Sequence, residues 1–553
     1  LSGLSGSQRR RRLELQRERL RRQARSNSAA FAALYRGIVP GPQQWDMATR
    51  CDDEALLYHL DAEPRDHGKT EIYVNSGPLR RICEDPDVRI LVVQKTATEA
   101  RKAVSVIKTE LEQNDLLRRS YRQHWLATVG EPDIVNKAGM IDDKTGAWQA
   151  QRIYCKRNRR SKDPTFEGVG VGGAITGGHF DWIIFDDILD DENTKTPERC
   201  QSIINWFFGT ILQLREPHTK LTGVCTLKTL LENLYSVIQE NPIWQTTIRS
   251  AILSHDIDDI KFTPITKVVD GRTQIVDVEV HTPDVQVLWP AVWPIKKLIL
   301  DMLASPRRIW KREKLNDLTA LAERIFKKHY FRYYDPQDPP HFYDVIQSWD
   351  TAFKDTSGAA YSVMTEWGRG TAGAFLRDIF RDKLEWSELS MAIPLLYLSA
   401  ETRPEAVLIE DKASGQSAIQ EWQQGKLRET WFAELRRYIQ QPGAKLALVR
   451  LAEAMLARPG LPHIISVPVL PVRVGSEKDK VARAEDASVW YANGQVYHPD
   501  PARLPLLERE KVEAYEEEHT TFPDGRYKDQ VDSGGQAVLH LLAVTEQYHS
   551  GKI

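Results

Sequence analysis

The sequence predicts an α/β fold in two successive domains, and three observations carry that prediction. Between Ala55 and Val285, short apolar runs alternate with amphipathic stretches, the rhythm of a parallel sheet with crossover helices. A breaker cluster, Asp-Pro-Gln-Asp-Pro-Pro over 335–340, interrupts that rhythm. Beyond it a second set of apolar runs begins. At 553 residues the chain also exceeds what one ordinary core organises.

Taken in order, the chain opens with nine arginines between Arg9 and Arg25, accompanied only by Leu13, Leu15 and Leu20. So sparse an apolar stripe reads as a basic arm over 1–30, either solvated or set against DNA phosphates or an acidic partner. ALLYHLDA, VRILVVQ, DWIIFDD and KLTGVCT are the strand candidates of a first domain over 31–330. In the stretch TEARKAVSVIKTELEQN, Ala100, Val104, Ile107 and Leu111 recur on one helical face. The breaker cluster places a linker at 331–340. In the second domain, 341–553, YDVIQSWD, AYSVMTEW and AGAFLRDIF read as three successive strands, followed by a helix and the strand AVLIED.

Composition excludes several classes. With 75 basic and 77 acidic residues the net charge is −2, so any nucleic-acid contact must come from local patches. The five cysteines, Cys51, Cys83, Cys155, Cys200 and Cys225, are odd in number and contain no Cys-x-x-Cys. That argues against a disulfide framework or zinc ribbon and fits a reducing cytosol. No apolar run approaches the roughly 18–20 residues a membrane span requires, and no secretory signal is expected.

The first chemical motif is Glu63-Pro-Arg-Asp-His-Gly-Lys-Thr70, directly after a strand. A phosphate-binding loop needs backbone N–H groups, a lysine for the β- and γ-oxygens and a hydroxyl for Mg²⁺. Gly68, Lys69 and Thr70 stand where those belong, although Glu63 replaces the usual first glycine. Its counterpart is Trp182-Ile-Ile-Phe-Asp186-Asp187, an apolar strand delivering Asp186 to hold Mg²⁺ and Asp187 to orient or deprotonate a water. Together, and in this order, the two motifs predict an ATPase. Ahead of the acidic strand lies a glycine-rich stretch, Gly168 to His179, which reads as a turn.

The second half carries a separate acid set. Two-metal phosphodiester hydrolysis needs carboxylates converging from several elements on Mg²⁺ or Mn²⁺. Asp350 closes one strand, Glu410 and Asp411 close another, and Asp529 and Asp532 open the last helix. Lys480 and Arg483, three apart on a helix, share a face and are candidates for phosphate contact.

These motifs resemble those of large terminase subunits of tailed bacteriophages. The resemblance rests on Pro-Arg-x-His-Gly-Lys-Thr, the glycine-rich stretch through Ile-Thr-Gly, and the apolar strand closing in Asp-Asp. In the second half it rests on Ser-Trp-Asp-Thr-Ala, Ile-Glu-Asp-Lys-Ala-Ser-Gly, Lys480-Val-Ala-Arg483-Ala and Phe-Pro-Asp-Gly followed by Asp-Gln-Val-Asp. It implies a RecA-like P-loop ATPase domain followed by a ribonuclease-H-like nuclease domain of the RuvC/integrase type. By likeness, Arg65, Asp66 and His67 join Gly68, Lys69 and Thr70 in the ATP loop, Arg65 sensing the γ-phosphate. Thr226 falls in the motif that couples hydrolysis to movement. Asp350, Glu410 and Asp529 would bind the nuclease metals, with Asp411 and Asp532 as accessory ligands. The chain departs from the family at Glu63, Asp66, Cys225, Ala360 and Lys528.

The implied activity is ATP-driven translocation of double-stranded DNA into a procapsid, with metal-dependent cutting of concatemeric DNA. Implied partners are the portal protein, the small terminase subunit and further copies of this chain in a ring. The implied place is the host cytoplasm, transiently at the portal vertex. Arg157, Arg159 and Arg160 are candidates for an arginine supplied in trans. Two other readings use the same motifs: a helicase–nuclease of recombination or phage defence, and an inactive structural relative.

Overall fold

Buried β-rich runs become parallel strands because both faces of such a sheet are covered by helices. In the computed structural model this holds for all four runs of the first half. The structure describes residues 18–543, apart from 138–139, 143–144, 160, 174, 176–177, 270–271, 352–360, 412, 473–477, 524 and 526. The chain forms two units: 1–262, 280–299 and 308–322 make the first, and 263–279, 300–307 and 323–553 the second.

The first unit is built on a seven-stranded sheet. Its strands are β1 (Tyr58–Ala62), β2 (Ile90–Gln94), β3 (Arg152–Ile153), β4 (Phe166–Gly170), β5 (Phe180–Asp186), β6 (Arg215–Cys225) and β7 (Gln245–Ile248). Their order is β3-β4-β2-β5-β6-β1-β7, and every pairing except β3 with β4 is parallel. Ile90 to Val93 and Ile183 to Phe185 are fully buried. The amphipathic stretch forms the helix Ala97–Gln113, capped by Thr96 and Glu99, and it buries Ala100, Val104, Ile107 and Leu111 as the periodicity requires.

Residues 168–170 of the glycine-rich stretch lie inside β4, and the expected turn follows at Val171 and Gly172, where Gly173 N–H donates to the Gly170 carbonyl (2.9 Å). A Cβ on Gly168 would meet the Ala100 carbonyl oxygen at 2.7 Å, and one on Gly170 the Ala97 nitrogen at 2.4 Å. The glycines therefore let β4 run beneath the helix that follows β2. The arm also ends earlier than expected. Residues 28–30 belong to the helix Ser28–Tyr35, whose Ala29, Ala30 and Phe31 are fully buried; residues 1–17 lie outside the described residues.

The second unit includes most of a hairpin, β8 (Phe262–Val269) and β9 (Arg272–Val280), and a second seven-stranded sheet. That sheet comprises β10 (Arg332–Tyr334), β11 (Asp344–Asp350), β12 (Ser362–Gly370), β13 (Gly373–Asp382), β14 (Ala406–Glu410), β15 (Val469–Val472) and β16 (Val496–Pro499). The order is β10-β16-β13-β12-β11-β14-β15, with β11, β12 and β13 an antiparallel meander and β14 parallel to β11. This is the ribonuclease-H-like arrangement that the sequence led us to expect. One face packs Trp349, Trp422 and Trp431; the other packs Trp367, Tyr491 and Tyr515. The segment 331–340, read as a linker, opens with β10, which pairs with β16 and so is part of this sheet.

Among the described residues no helix is long and apolar enough to cross a membrane.

Candidate functional site

Parallel strands ending on one edge bring their last residues together. In the first sheet this gathers the loop after β1, Gln94 at the end of β2, Asp186 at the end of β5 and Thr226 just beyond β6. They line a cavity of about 750 Å³ with Arg65, Asp66, Gly68, Lys69, Thr70 and Asp187. The loop bends through positive φ at Asp66 (64°) and Gly68 (82°), and the chain turns after β5 at Asp187 (φ 44°). Such conformations cost roughly 1–3 kcal/mol at a non-glycine residue and persist where the surroundings fix them. The surroundings do so at Asp187, whose N–H donates to the Val224 carbonyl (2.8 Å) and whose carboxylate accepts from Thr226 N–H (2.8 Å).

The Lys69 ammonium is almost fully buried and lies 2.9 Å from Asp187, and it also donates to the Thr226 hydroxyl. Asp186 accepts from the Thr70 hydroxyl (3.1 Å) and from Gln94 Nε2 (3.2 Å) through one oxygen, Oδ2. Its other oxygen, Oδ1, is buried without a hydrogen-bond partner. Burial and the neighbouring Asp187 push the Asp186 carboxyl up. A buried carboxylate beside a hydroxyl, with one oxygen unclaimed, fits a divalent cation.

Glu63 shows how the loop tolerates its departure from glycine. The side chain is fully buried, 3.2 Å from Arg50 and 3.5 Å from Arg249, and burial together with Asp61 raises its pKa to about 8. It faces into the domain, and Glu63 N–H donates to the Cys225 carbonyl (2.9 Å). Asp66 is likewise matched, at 2.9 Å from the Lys314 ammonium. His67 is buried against Trp289 and Trp293, and burial lowers its pKa to about 4. Arg65 is mostly exposed and lies 3.5 Å from Glu313.

Several further residues of this site lie outside its motifs. Gln94 left a signal, a polar residue closing an apolar strand in register with Asp186. Gln43 and Gln44 donate to the His67 and Gly68 carbonyls, at 3.4 and 3.5 Å. Asn316 joins the Ala62 carbonyl (3.1 Å), the Arg249 carbonyl (2.9 Å) and Leu227 N–H (3.0 Å). None of these contacts has a local signature in sequence. Of the candidate trans arginines, Arg157 donates to the Ser161 and Asp163 carbonyls within its own loop, Arg159 is exposed, and Arg160 lies outside the described residues.

The second sheet gathers the other acids. Alternation along β11 sends Ser348 and Asp350 to the face covered by the last helix, Asp529–Ala543, where Ser348 Oγ donates to the Ser533 carbonyl (2.8 Å). Asp350, Glu410 and Asp532 are all buried there. Asp529, at the helix start, accepts from Tyr361 N–H at 3.3 Å, and burial raises its carboxyl as it does that of Asp532. Burial raises Asp350 to about 8, against the pull of Lys480, and the charges of Asp532, Glu410 and Asp529 push the same way. Asp411 is half-buried; its N–H donates to the Val472 carbonyl (2.8 Å). Ala360 lies outside the described residues.

Two cations from the helix Lys478–Ala492 stand among these acids. Lys480 is 2.5 Å from Asp532 and 3.7 Å from Asp350, and Arg483 is 3.0 Å from Glu410 and 3.4 Å from Asp532. Among the described residues, the only three metal-type side chains with ligand atoms within 4.8 Å of one another are Asp181, Glu216 and His218, elsewhere in the chain. Asp350, Glu410, Asp529 and Asp532 thus gather at one end of the second sheet, with Lys480 and Arg483 paired among them. Their surplus of buried negative charge fits a divalent cation.

No family model matches the chain, and no curated protein matches it. Among solved structures it is similar to the large terminase of a thermophilic bacteriophage in complex with ADP, at 9% identity over 91% of this chain and 100% of that one, with a TM-score of 0.41. It is similar also to the HK97 bacteriophage large terminase, at 11% identity over 84% and 86% of the two chains, with a TM-score of 0.31. A human cytomegalovirus terminase nuclease domain, soaked with Mn, aligns at 12% identity over 39% of this chain and 94% of that one, with a TM-score of 0.22. The resemblance to the terminase family therefore rests on the motifs.

Proposed function

We propose that the chain is the large terminase subunit of a tailed bacteriophage or prophage. In this reading the first unit hydrolyses ATP to drive double-stranded DNA through a portal into a procapsid. The second unit cuts the concatemer. The observation that carries the reading is the pairing, in one chain, of a Lys69–Asp186–Asp187–Thr226 cluster with a separate set of acids, Asp350, Glu410, Asp529 and Asp532.

At the first site, Lys69 and the N–H groups of the loop would hold the β- and γ-phosphates, with Arg65 free to turn toward the γ-phosphate. Thr70 and Asp186 would hold Mg²⁺, which supplies charge neutralisation across the phosphates when bound. Asp187 would orient or deprotonate the attacking water once phosphate has drawn Lys69 away from it. At the second site, Asp350, Glu410, Asp529 and Asp532 would hold Mg²⁺ or Mn²⁺, with Asp411 as an accessory. The bound ions would activate water and stabilise the leaving oxygen. Lys480 and Arg483 would then turn from the carboxylates toward DNA phosphate.

Docking on the portal, a ring of copies and a small terminase subunit complete the proposal, in the host cytoplasm at the portal vertex. The test is a reciprocal pair of variants. Lys69→Ala should abolish ATP hydrolysis and leave plasmid cutting in high Mn²⁺ intact. Asp350→Asn should lower cutting by about a hundredfold or more and spare ATP turnover. Equal cutting by Asp350→Asn and the parent would end the nuclease assignment. A helicase–nuclease would share both results, but its ATPase would not respond to procapsids carrying the portal.

A further inference from the structure

The cavity of the first unit is walled by more cations than the phosphate loop supplies. Besides Lys69 and Arg65, its lining includes Lys95, Lys228 and Arg312. Lys95 is held by Asp190 at 2.7 Å. Arg312 is held by the next residue, Asp191, through two hydrogen bonds of 2.6 and 3.1 Å. Both acids lie on the segment that follows β5 and the Asp186–Asp187 pair.

The pair between Arg312 and Asp191 is unequal. The Arg312 side chain is only 7% exposed, whereas that of Asp191 is 70% exposed. A buried guanidinium requires an anion beside it, because losing one leaves an uncompensated charge out of water. An exposed carboxylate that leaves such a pair is resolvated at once. The cation is therefore fixed and its partner exchangeable.

Glu313 does not remove this need. It lies 2.8 Å from Arg312, but also 2.7 Å from Lys228 and 3.5 Å from Arg65, so one carboxylate serves three cations. Without Asp191, Glu313 alone would balance Arg312, Lys228 and Arg65. A guanidinium binds phosphate with the same forked geometry it uses for carboxylate.

The backbone carrying Arg312 is also tied to the loop. Arg65 N–H donates to the Glu313 carbonyl at 2.8 Å, and Asn316 bridges the ends of β1 and β6 through the Ala62 carbonyl and Leu227 N–H. Arg312 is thus held at a set position relative to the residues that would grip the phosphates.

We propose that Arg312 is a further phosphate-binding residue of the nucleotide site, acting within the same chain, and that Asp191 is the anion it exchanges for the terminal phosphate of a nucleoside triphosphate. This inference rests on the nucleotide-site reading given under Proposed function. It adds a triphosphate-specific contact from a segment 243 positions beyond Lys69 in the chain.

Calorimetric titration of the full chain with ATPγS and with ADP, each with Mg²⁺, tests it. Arg312→Ala should weaken ATPγS binding about tenfold or more while changing ADP binding little, the loss expected for a charge-assisted contact to one phosphate. Asp191→Asn, a change at an exposed side chain, should raise the preference for ATPγS over ADP by a few-fold, since the competing anion is gone. Should Arg312→Ala fold poorly, Arg312→Lys, which keeps the charge without the fork, is expected to lose part of that preference.

An unchanged ATPγS-to-ADP ratio in both the Arg312 and Asp191 variants, with tight binding by the parent, would overturn the role of Arg312 and leave the nucleotide site standing. Equal losses for both nucleotides would show a structural role and overturn it as well. A parent that bound neither nucleotide, like Lys69→Ala, would overturn the nucleotide site and this proposal together.

Discussion

Glu63 occupies the place where a phosphate loop usually has glycine, and its burial turns an apparent defect into a measurable property. Its carboxyl, ordinarily ionised near pH 4.5, is pushed up to about 8 by burial and by Asp61. A carboxyl raised in the folded state binds its proton more tightly there than in the unfolded chain, so stability falls as pH rises through that interval. Glu63→Gln removes the titration. The melting temperature of this variant, minus that of the parent, should therefore increase from pH 5 to pH 9; a flat difference would contradict the buried placement. Asp350 obeys the same sign, with a carboxyl raised to about 8. Because metal ligands must shed their protons, Mn²⁺ affinity measured by calorimetry should climb from about pH 6 to about pH 9, and more steeply in the parent than in Asp350→Asn. The sequence announced Lys69 and Thr70 through the phosphate-loop motif, and Asp186 and Asp350 because each closes an apolar strand. It could not announce Gln43, Asn316 or Arg312, which reach the site by tertiary contact from segments with no motif of their own.

The strands and helices divide along a similar physical line. Every apolar run singled out from sequence became a strand, since runs such as ILVVQ and DWIIFD are buried on both faces and have no alternative use. The less apolar strands were missed: β7 (Gln-Thr-Thr-Ile) is partly exposed, and β4 hides its identity behind glycines needed for helix packing. The helix Lys478–Ala492 has the sharpest consequence at this scale, because its Lys480 and Arg483 stand between the acids of the second sheet. Cations there compete with metal for the same carboxylates. Lys480→Ala should accordingly bind Mn²⁺ several-fold more tightly by calorimetry while melting at a lower temperature in its absence. Weaker Mn²⁺ binding would mean instead that Lys480 orders the ligands.

For the molecule as a whole, the proposed function assigns two separable activities to sites at the ends of two separate sheets. Coupling to a capsid adds a further expectation: portal-bearing procapsids with linear DNA should raise the ATP turnover of the parent, and Thr226→Ala should retain basal turnover while losing most of that increase. Turnover indifferent to procapsids would favour a translocase–nuclease of another kind. The alternation of apolar runs and the breaker cluster led to two successive domains divided at 331–340, whereas the chain forms two units that interleave, with 263–279 and 300–307 in the second. Those short excursions are placed by packing, which leaves no periodic trace. Beneath all of this lies one claim, that each sheet edge gathers carboxylates to hold a divalent cation. Anomalous diffraction from crystals soaked in Mn²⁺ and ATPγS reads it directly. The account predicts one peak beside Asp186 and Thr70 and at least one more among Asp350, Glu410, Asp529 and Asp532; no manganese at either position would contradict it.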